Sequence, residues 1–270
     1  MAKRKYSSKK PYKKVYKRQP SEAEIKRNRT RRVLRVILVI VALALYVAIE
    51  NGFFDKFLGH EKDNTISLDD IPEYSGEPYV VINGNVPEFS DEEIVTESYE
   101  FYSPLDGLGR CGTAMACIGK DLMPTGERQQ ISSIHPTGWH SNRYDFVDQE
   151  MLFNRCHLIA FQLAGEDLND RNLITGTRYL NTIGMLPFEE EVGYYVRRTG
   201  NHVMYRVSPI FKGNELVARG VHMEALSVED GGKGICFNVY CYNVQPRIEI
   251  DYATGDNWEV EVEEDLDDAA

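Results

Sequence analysis

His157 is the kind of residue that can take up a proton near neutral pH, and it does not stand alone in the chain. Arg155 lies two positions before it, Asn172 fifteen after it, Asn181 twenty-four after it, and Glu189 eight beyond Asn181. Cleaving a phosphodiester requires a base to deprotonate water, a cation to offset charge on the phosphorane-like transition state, and a proton for the leaving oxygen. This set can supply or organise all three. Taken singly, each residue has a plainer reading. A lone histidine is more often a satisfied structural residue. Asn181 could sit on a helix surface or cap it, and Glu189 with Glu190 and Glu191 could be a solvated acidic helix start after Pro187. Arg155 could form a structural ion pair as readily as hold a phosphate. The order of the companions along the chain is what favours the chemical reading.

Other chemistries fit less well. Cys156 beside His157 invites a cysteine-hydrolase reading, but neighbours on a strand point to opposite faces. His135, His140, His202 and His222 show no metal-ligand spacing. The five cysteines, Cys111, Cys117, Cys156, Cys236 and Cys241, are odd in number and carry no zinc signature, so no pairing is assigned.

The elements that must position these residues are only partly periodic. Tyr79–Asn83 and Cys111–Ile118 read as strands, and Ser90 with Glu93 has the form of a helix capping box. Met151–Phe153 leads into Asn154-Arg-Cys-His157, followed by a helix-compatible stretch to about Ala164. Asn172-Leu-Ile174 is a short strand or connector. Residues 177–199 favour helix and stop at Gly200, and Pro187 in their middle predicts two helical pieces or a kink. His202–Phe211, Leu216–Val228 and Ile235–Val244 predict three consecutive antiparallel strands. Strands and helices do not alternate as βαβ units, so the expected fold class is α+β with a central antiparallel sheet.

The ends of the chain differ sharply in charge. Residues 1–35 hold fifteen Lys or Arg against Glu22 and Glu24, so the net charge of −11 divides into +13 there and −24 over residues 36–270. Val36–Ile49 is apolar, and it lengthens to seventeen residues if Val33 and Leu34 are admitted and Arg35 snorkels. This predicts a basic cytoplasmic arm at 1–32 facing anionic lipid headgroups, a transmembrane anchor at 33–50 and an acidic stalk at 51–76. A folded domain at 77–254 and an acidic tail at 255–270 would then lie outside the cell membrane. A cleaved signal peptide followed by secretion is the rival reading; no small-x-small site follows Ile49.

Tyr102-Ser-Pro-Leu-Asp-Gly-Leu-Gly-Arg110, Asn154-Arg-Cys-His-Leu158, Asn172-Leu-Ile174, Tyr179-Leu-Asn181 and Phe188-Glu189 together resemble, in order and spacing, the DNA/RNA non-specific endonucleases of the ββα-metal (His-Me finger) type, in particular their streptococcal DNA-entry branch. The resemblance spans about residues 78–254. It implies a metal-dependent endonuclease acting on DNA, with RNA as a second substrate. His157 would be the general base and Asn181 the single protein ligand of one Mg²⁺ or Mn²⁺. Glu189 would steady metal-bound waters, and Asn172 would be the asparagine that precedes the metal helix. The motif departs from the family's Asp-Arg-Gly-His at two places, Asn154 for Asp and Cys156 for Gly. A domain with this fold but impaired catalysis, acting as a cell-surface binding or scaffold module, is the alternative that the −24 charge favours.

Overall fold

The computed structural model describes residues 66–261. The predicted arm, anchor and most of the stalk lie outside these residues, and no helix among the described residues is long and apolar enough to cross a membrane.

The framework is a six-stranded sheet in the order β1-β8-β7-β6-β3-β2. Its strands are β1 (Tyr79–Val81), β2 (Tyr99–Tyr102), β3 (Ala114–Ile118), β6 (Val203–Ile210), β7 (Gly220–Ser227) and β8 (Cys236–Tyr242). Every neighbouring pair is antiparallel, with registers such as Val203↔Ser227 and Val221↔Cys241. The three consecutive strands expected from the sequence are β6, β7 and β8, trimmed at both ends. Their residues are buried almost throughout, because both faces of the sheet are covered. One face holds the main core, in which Tyr205, Val207, Met223 and Val239 meet Leu180, Val192 and Val196. On the other, Met115, Cys117 and Met204 lie under Phe89, Ile94 and Val95.

That second face also corrects the stalk boundary. Ile66, Leu68, Ile71 and Tyr74 pack against Ile210, Tyr240 and Tyr242, and the Tyr242 hydroxyl donates to the Pro72 carbonyl at 2.7 Å. The folded unit therefore begins well before residue 77, because the sheet needs these apolar side chains to close its outer face. The acidic tail is corrected likewise: β9 (Ile248–Ile250) and β10 (Asn257–Glu259) form an antiparallel hairpin across the expected boundary at 254. Ser90 and Glu93 close a turn instead of a helix. The Ser90 N–H donates to a Glu93 carboxylate oxygen at 2.6 Å, and the other oxygen of Glu93 is taken at 2.8 Å by Arg206, which also binds Glu224.

A second antiparallel pair, β4 (Phe153–His157) with β5 (Leu173–Thr177), stands apart from the large sheet. The helix-compatible stretch between them is a single turn, α1 (Phe161–Ala164), closed by Gly165 in the left-handed region. After β5 comes a π-helix over Leu180–Met185, which passes directly into α2 (Leu186–Thr199). Pro187 sits at this junction. It lacks the N–H that would continue the ladder, and its ring crowds the carbonyl four residues back, so the break expected there takes the form of a widened turn. Gly200, with φ of 75°, ends α2 and donates its N–H to the Val196 carbonyl at 2.9 Å.

Candidate active site

Antiparallel pairing of β4 and β5 brings His157 opposite Leu173, and the chain from β5 runs straight into the π-helix that carries Asn181. The Thr177 side chain accepts from the Leu180 N–H at 2.9 Å, which starts the helix at a defined point. Gly184 lets the helix come close to β8, since a Cβ there would stand 3.4 Å from that of Cys241. Strand, strand and helix thus converge on a cleft of about 620 Å³ lined by His157, Asn181, Glu189, Arg155, Arg178 and Arg128, among others.

Four of the five residues singled out in the sequence line this cleft, and Asn172 does not. It is fully buried, and its carboxamide is spent on the backbone of Ile159. Its contribution is therefore to the turn behind His157, away from any substrate. Arg155 lines the cleft with its guanidinium already engaged. Nη2 donates to the Ser132 carbonyl at 2.9 Å, Nε donates to the Ile134 carbonyl, and the guanidinium lies 4.2 Å from the centre of the Trp139 ring. It pins the 131–139 loop as one wall.

His157 is 6% exposed. Burial, reinforced by the adjacent Arg128 charge and opposed by Asp167, holds its imidazole down at about 4, so the ring is neutral at physiological pH. Nδ1 faces the Arg128 guanidinium at 3.2 Å, while Nε2 is buried and makes no hydrogen bond of good geometry among the described residues. Glu189 is buried although Glu190 and Glu191 beside it are exposed. Burial pushes its carboxyl up to about 8, with Arg128 acting to lower it. The charge of one half-exposed arginine does not offset the desolvation of that carboxylate. A hydrated divalent cation would, and Asn181 offers a carboxamide with no hydrogen bond among the described residues. One neutral oxygen ligand and one carboxylate suit a hard ion that keeps most of its waters. No group of three or more His, Cys, Asp or Glu able to cage a metal occurs among the described residues.

Cys156 points away from the cleft into the core, where its sulfur lies 3.4 Å from that of Met185. Burial raises its thiol well above the usual range, which removes the cysteine-hydrolase reading. All five cysteines are free thiols. Asn154 accepts from Arg178 at 3.3 Å, and Arg178 is also paired with Asp148 at 2.6 Å. Two residues of the site were not foreseen, Arg128 and Asp167. Arg128 lies 29 positions before His157 on a loop without periodic pattern, and Asp167 follows α1 in a run of polar residues. Nothing in either stretch marks them out locally.

The described residues carry 14 Lys and Arg against 31 Asp and Glu, yet the cleft is lined by three arginines and a single acid. The described part of the chain is acidic overall, and the lining of this concavity is not.

The chain is similar in sequence and in fold to known proteins. A "Deoxyribonuclease" of Streptococcus dysgalactiae subsp. equisimilis is 28% identical over 209 residues, a match covering 62% of this chain and 62% of that relative's length. NucA from Streptococcus agalactiae superposes with a TM-score of 0.61 at 25% identity in its metal-free structure, covering 74% of this chain and 99% of NucA. Its magnesium-bound structure gives 0.62 at 24%, covering 72% and 94%, a likeness of fold. The family model described as DNA/RNA non-specific endonuclease matches residues 90–229, just over half of the chain and the part that contains His157, Asn181 and Glu189. By that match, the chain belongs to the DNA/RNA non-specific endonuclease family.

Proposed function

We propose that the protein is a metal-dependent, non-specific endonuclease that hydrolyses phosphodiester bonds of DNA, with RNA as a second substrate, and that it is held at the outer face of the cell membrane by an N-terminal helix. The observation that carries the catalytic part is that a buried neutral imidazole, an uncommitted carboxamide, a buried carboxylate and three arginines line one cleft of an otherwise acidic domain. The basic residues 1–35 followed by the apolar run to Ile49 support the anchor.

His157 Nδ1 accepts a proton from water as the water oxygen bonds to phosphorus and the bond to the 3′ oxygen breaks; that oxygen takes a proton from a second water in the cleft, leaving a 5′-phosphate and a 3′-hydroxyl. Arg128 is the half-exposed cation beside that nitrogen and pairs with a non-bridging phosphate oxygen. Arg155 and Trp139 hold the loop wall in place. Asn181 would bind a Mg²⁺ or Mn²⁺ ion directly and Glu189 would hold its waters; the ion, when bound, supplies positive charge against the transition state. Asn172 keeps the chain after His157 from turning elsewhere. Base readout has no part in this arrangement, so little sequence preference is expected.

The test uses the purified full chain and supercoiled plasmid. Nicking with Mg²⁺ that stops on chelation, and that falls about a hundredfold or more in His157→Ala, is the expected result. Retained cleavage in His157→Ala overturns the assignment. A chain that binds DNA without cutting it would instead establish the non-catalytic scaffold reading. Membrane fractionation of cells carrying the full chain tests the anchor, and recovery in the medium as a shortened chain would replace it with secretion.

A further inference from the structure

Asp167 is a buried acid for which the catalytic proposal has no use. It is 5% exposed, lies beyond the left-handed Gly165 that ends α1, and sends its carboxylate toward the loop that carries Arg128. Oδ2 accepts from the Gln129 N–H at 2.6 Å. Oδ1 makes no hydrogen bond among the described residues and stands 3.6 Å from Arg128 Nε. The same guanidinium reaches Nδ1 of His157 with Nη2, at 3.2 Å.

We infer that Asp167 is a positioning residue, whose carboxylate stations the Arg128 guanidinium against His157 in the substrate-free protein and so governs when Nδ1 is open to water. This rests on the proposed function for its kinetic consequence only.

Burying a charge is costly. An ionised carboxylate withdrawn from water needs a counter-charge, and Arg128 is the one the structure supplies. Arg128 is itself half exposed, so without Asp167 its long side chain would be free to sample water. Asp167 is anchored relative to His157. The segment that joins them leaves β4 through Ile159, which Asn172 clamps on both backbone groups. Gln129 is tied to Asp167 by its backbone, which holds the loop while leaving the neighbouring guanidinium free to turn. The carboxylate is therefore the fixed point and the guanidinium the moving part.

While the guanidinium sits on Nδ1, that nitrogen has a donor in the place a water must occupy to be deprotonated. A phosphodiester competes for the guanidinium with two non-bridging oxygens, a geometry that arginine favours. Its arrival draws Nη2 from the imidazole to the phosphate, and Nδ1 is uncovered in the same movement that brings the scissile bond into the cleft. The base is exposed to water only when there is a bond to cut.

The plainer role for Asp167 is closure of the loop through Gln129 alone, and two measurements separate the roles. The first uses the full chain labelled with ¹⁵N-histidine, free of nucleic acid, with the His157 ring assigned by His157→Gln. Loss of a donor moves the Nδ1 resonance downfield. Arg128→Ala and Asp167→Asn are expected to move it alike, and the double variant no further. An Nδ1 signal that moves in Arg128→Ala and stays put in Asp167→Asn overturns the inference. Should Asp167→Asn fail to fold, Asp167→Glu displaces the charge by one methylene and is read the same way; an unmoved signal has the same meaning. The second measurement is a double-mutant cycle in kcat/KM on plasmid DNA. Because an Arg128 no longer stationed by Asp167 meets the phosphate less often, and this outweighs the earlier uncovering of Nδ1, Asp167→Asn should lower kcat/KM about tenfold in the wild-type background and leave it unchanged in Arg128→Ala, as coupled partners do. Additive losses overturn the inference. A chain with the coupled Nδ1 shifts and no cleavage at all refutes the nuclease reading and leaves the Asp167–Arg128–His157 relation standing.

Discussion

Asn172 grips Ile159 from both sides: its Oδ1 accepts from the Ile159 N–H at 2.8 Å, and its Nδ2 donates to the Ile159 carbonyl at 3.0 Å. The Asn172 carbonyl also accepts from the Leu158 N–H at 2.9 Å. The carboxamide thereby acts as one more rung of the β4–β5 ladder, added beyond the last strand pair, His157 with Leu173. His157 is held in an extended backbone at the rim of a cleft because this side chain satisfies the two backbone groups that would otherwise be stranded in the core.

Replacing that carboxamide has a double cost. Asn172→Ala strands a buried donor and a buried acceptor, and should destabilise the protein by about 2–4 kcal/mol. Because the turn after His157 loosens, cleavage should fall even at temperatures where the variant remains folded. Thermal unfolding and plasmid nicking at 20 °C below the variant's midpoint (a margin of about 20 °C keeps it folded) check both halves. Unchanged stability would mean that Asn172 is free to act elsewhere.

Protonation pulls the metal-free protein in two directions. The His157 imidazole is held at about 4 against 6.5 unfolded. The unfolded chain therefore takes the extra proton first, and the His157 contribution is complete above about pH 6.5 and lost as pH falls toward 4. Glu189 has the opposite sign. Its folded value of about 8 lies above 4.5, so its contribution is complete below about pH 4.5 and lost as pH rises through 8. Melting temperatures from pH 4 to 8 in chelator should fall less toward acid in His157→Gln and less toward alkali in Glu189→Gln. Parallel curves for wild type and Glu189→Gln would refute the burial argument for that carboxyl.

Cys156 stands where the related motif has glycine, and Gly176 on β5 accommodates it. A Cβ on Gly176 would lie 2.6 Å from the Cys156 Cβ, closer than carbon atoms pack. Gly176→Ala should therefore destabilise by about 1–3 kcal/mol. Adding Cys156→Gly should recover most of that loss, which a denaturant-unfolding cycle would show as strong coupling.

The extent of the domain gives a fourth expectation. A fragment of residues 77–254 loses Ile71 and Tyr74 from the outer sheet face, and Asn257, whose side chain accepts from Tyr144 and Asn142 at 2.8 Å each. It should melt several degrees below a fragment of residues 66–261, since about 1 kcal/mol corresponds to roughly 2–4 °C at this size. Its 139–151 loop should exchange amide hydrogens faster, because the C-terminal hairpin packs against Val147, Leu152 and Phe153. Equal melting temperatures would return the domain to its narrower limits.

How much of this was legible in the chain follows the distance over which each feature is decided. β6, β7 and β8 are marked by local alternation and by the turns between them, and the Pro187 break by a missing N–H. His157, Asn181 and Glu189 could be picked out together because strand, strand and helix follow one another directly, so their spacing in sequence is almost their spacing in space. Glu189, Glu190 and Glu191 are chemically alike as text; only packing of α2 on the sheet makes the first a buried acid and leaves the others in water.

What the residues alone determined is therefore the order of the elements and the nearness of His157 to the helix that follows β5, since these depend on backbone preferences and helical or strand phase. Contacts between segments far apart in sequence were decided by the tertiary structure. It spends Arg155 on carbonyls of the 132–134 loop, turns Asn172 inward onto Ile159, draws residues 66–76 and 257–259 into the fold, and sets Arg128 between Asp167 and His157. Each of these answers a demand that exists only once the chain is packed: a buried backbone group that needs a partner, an apolar face that needs a cover, or a buried charge that needs its opposite.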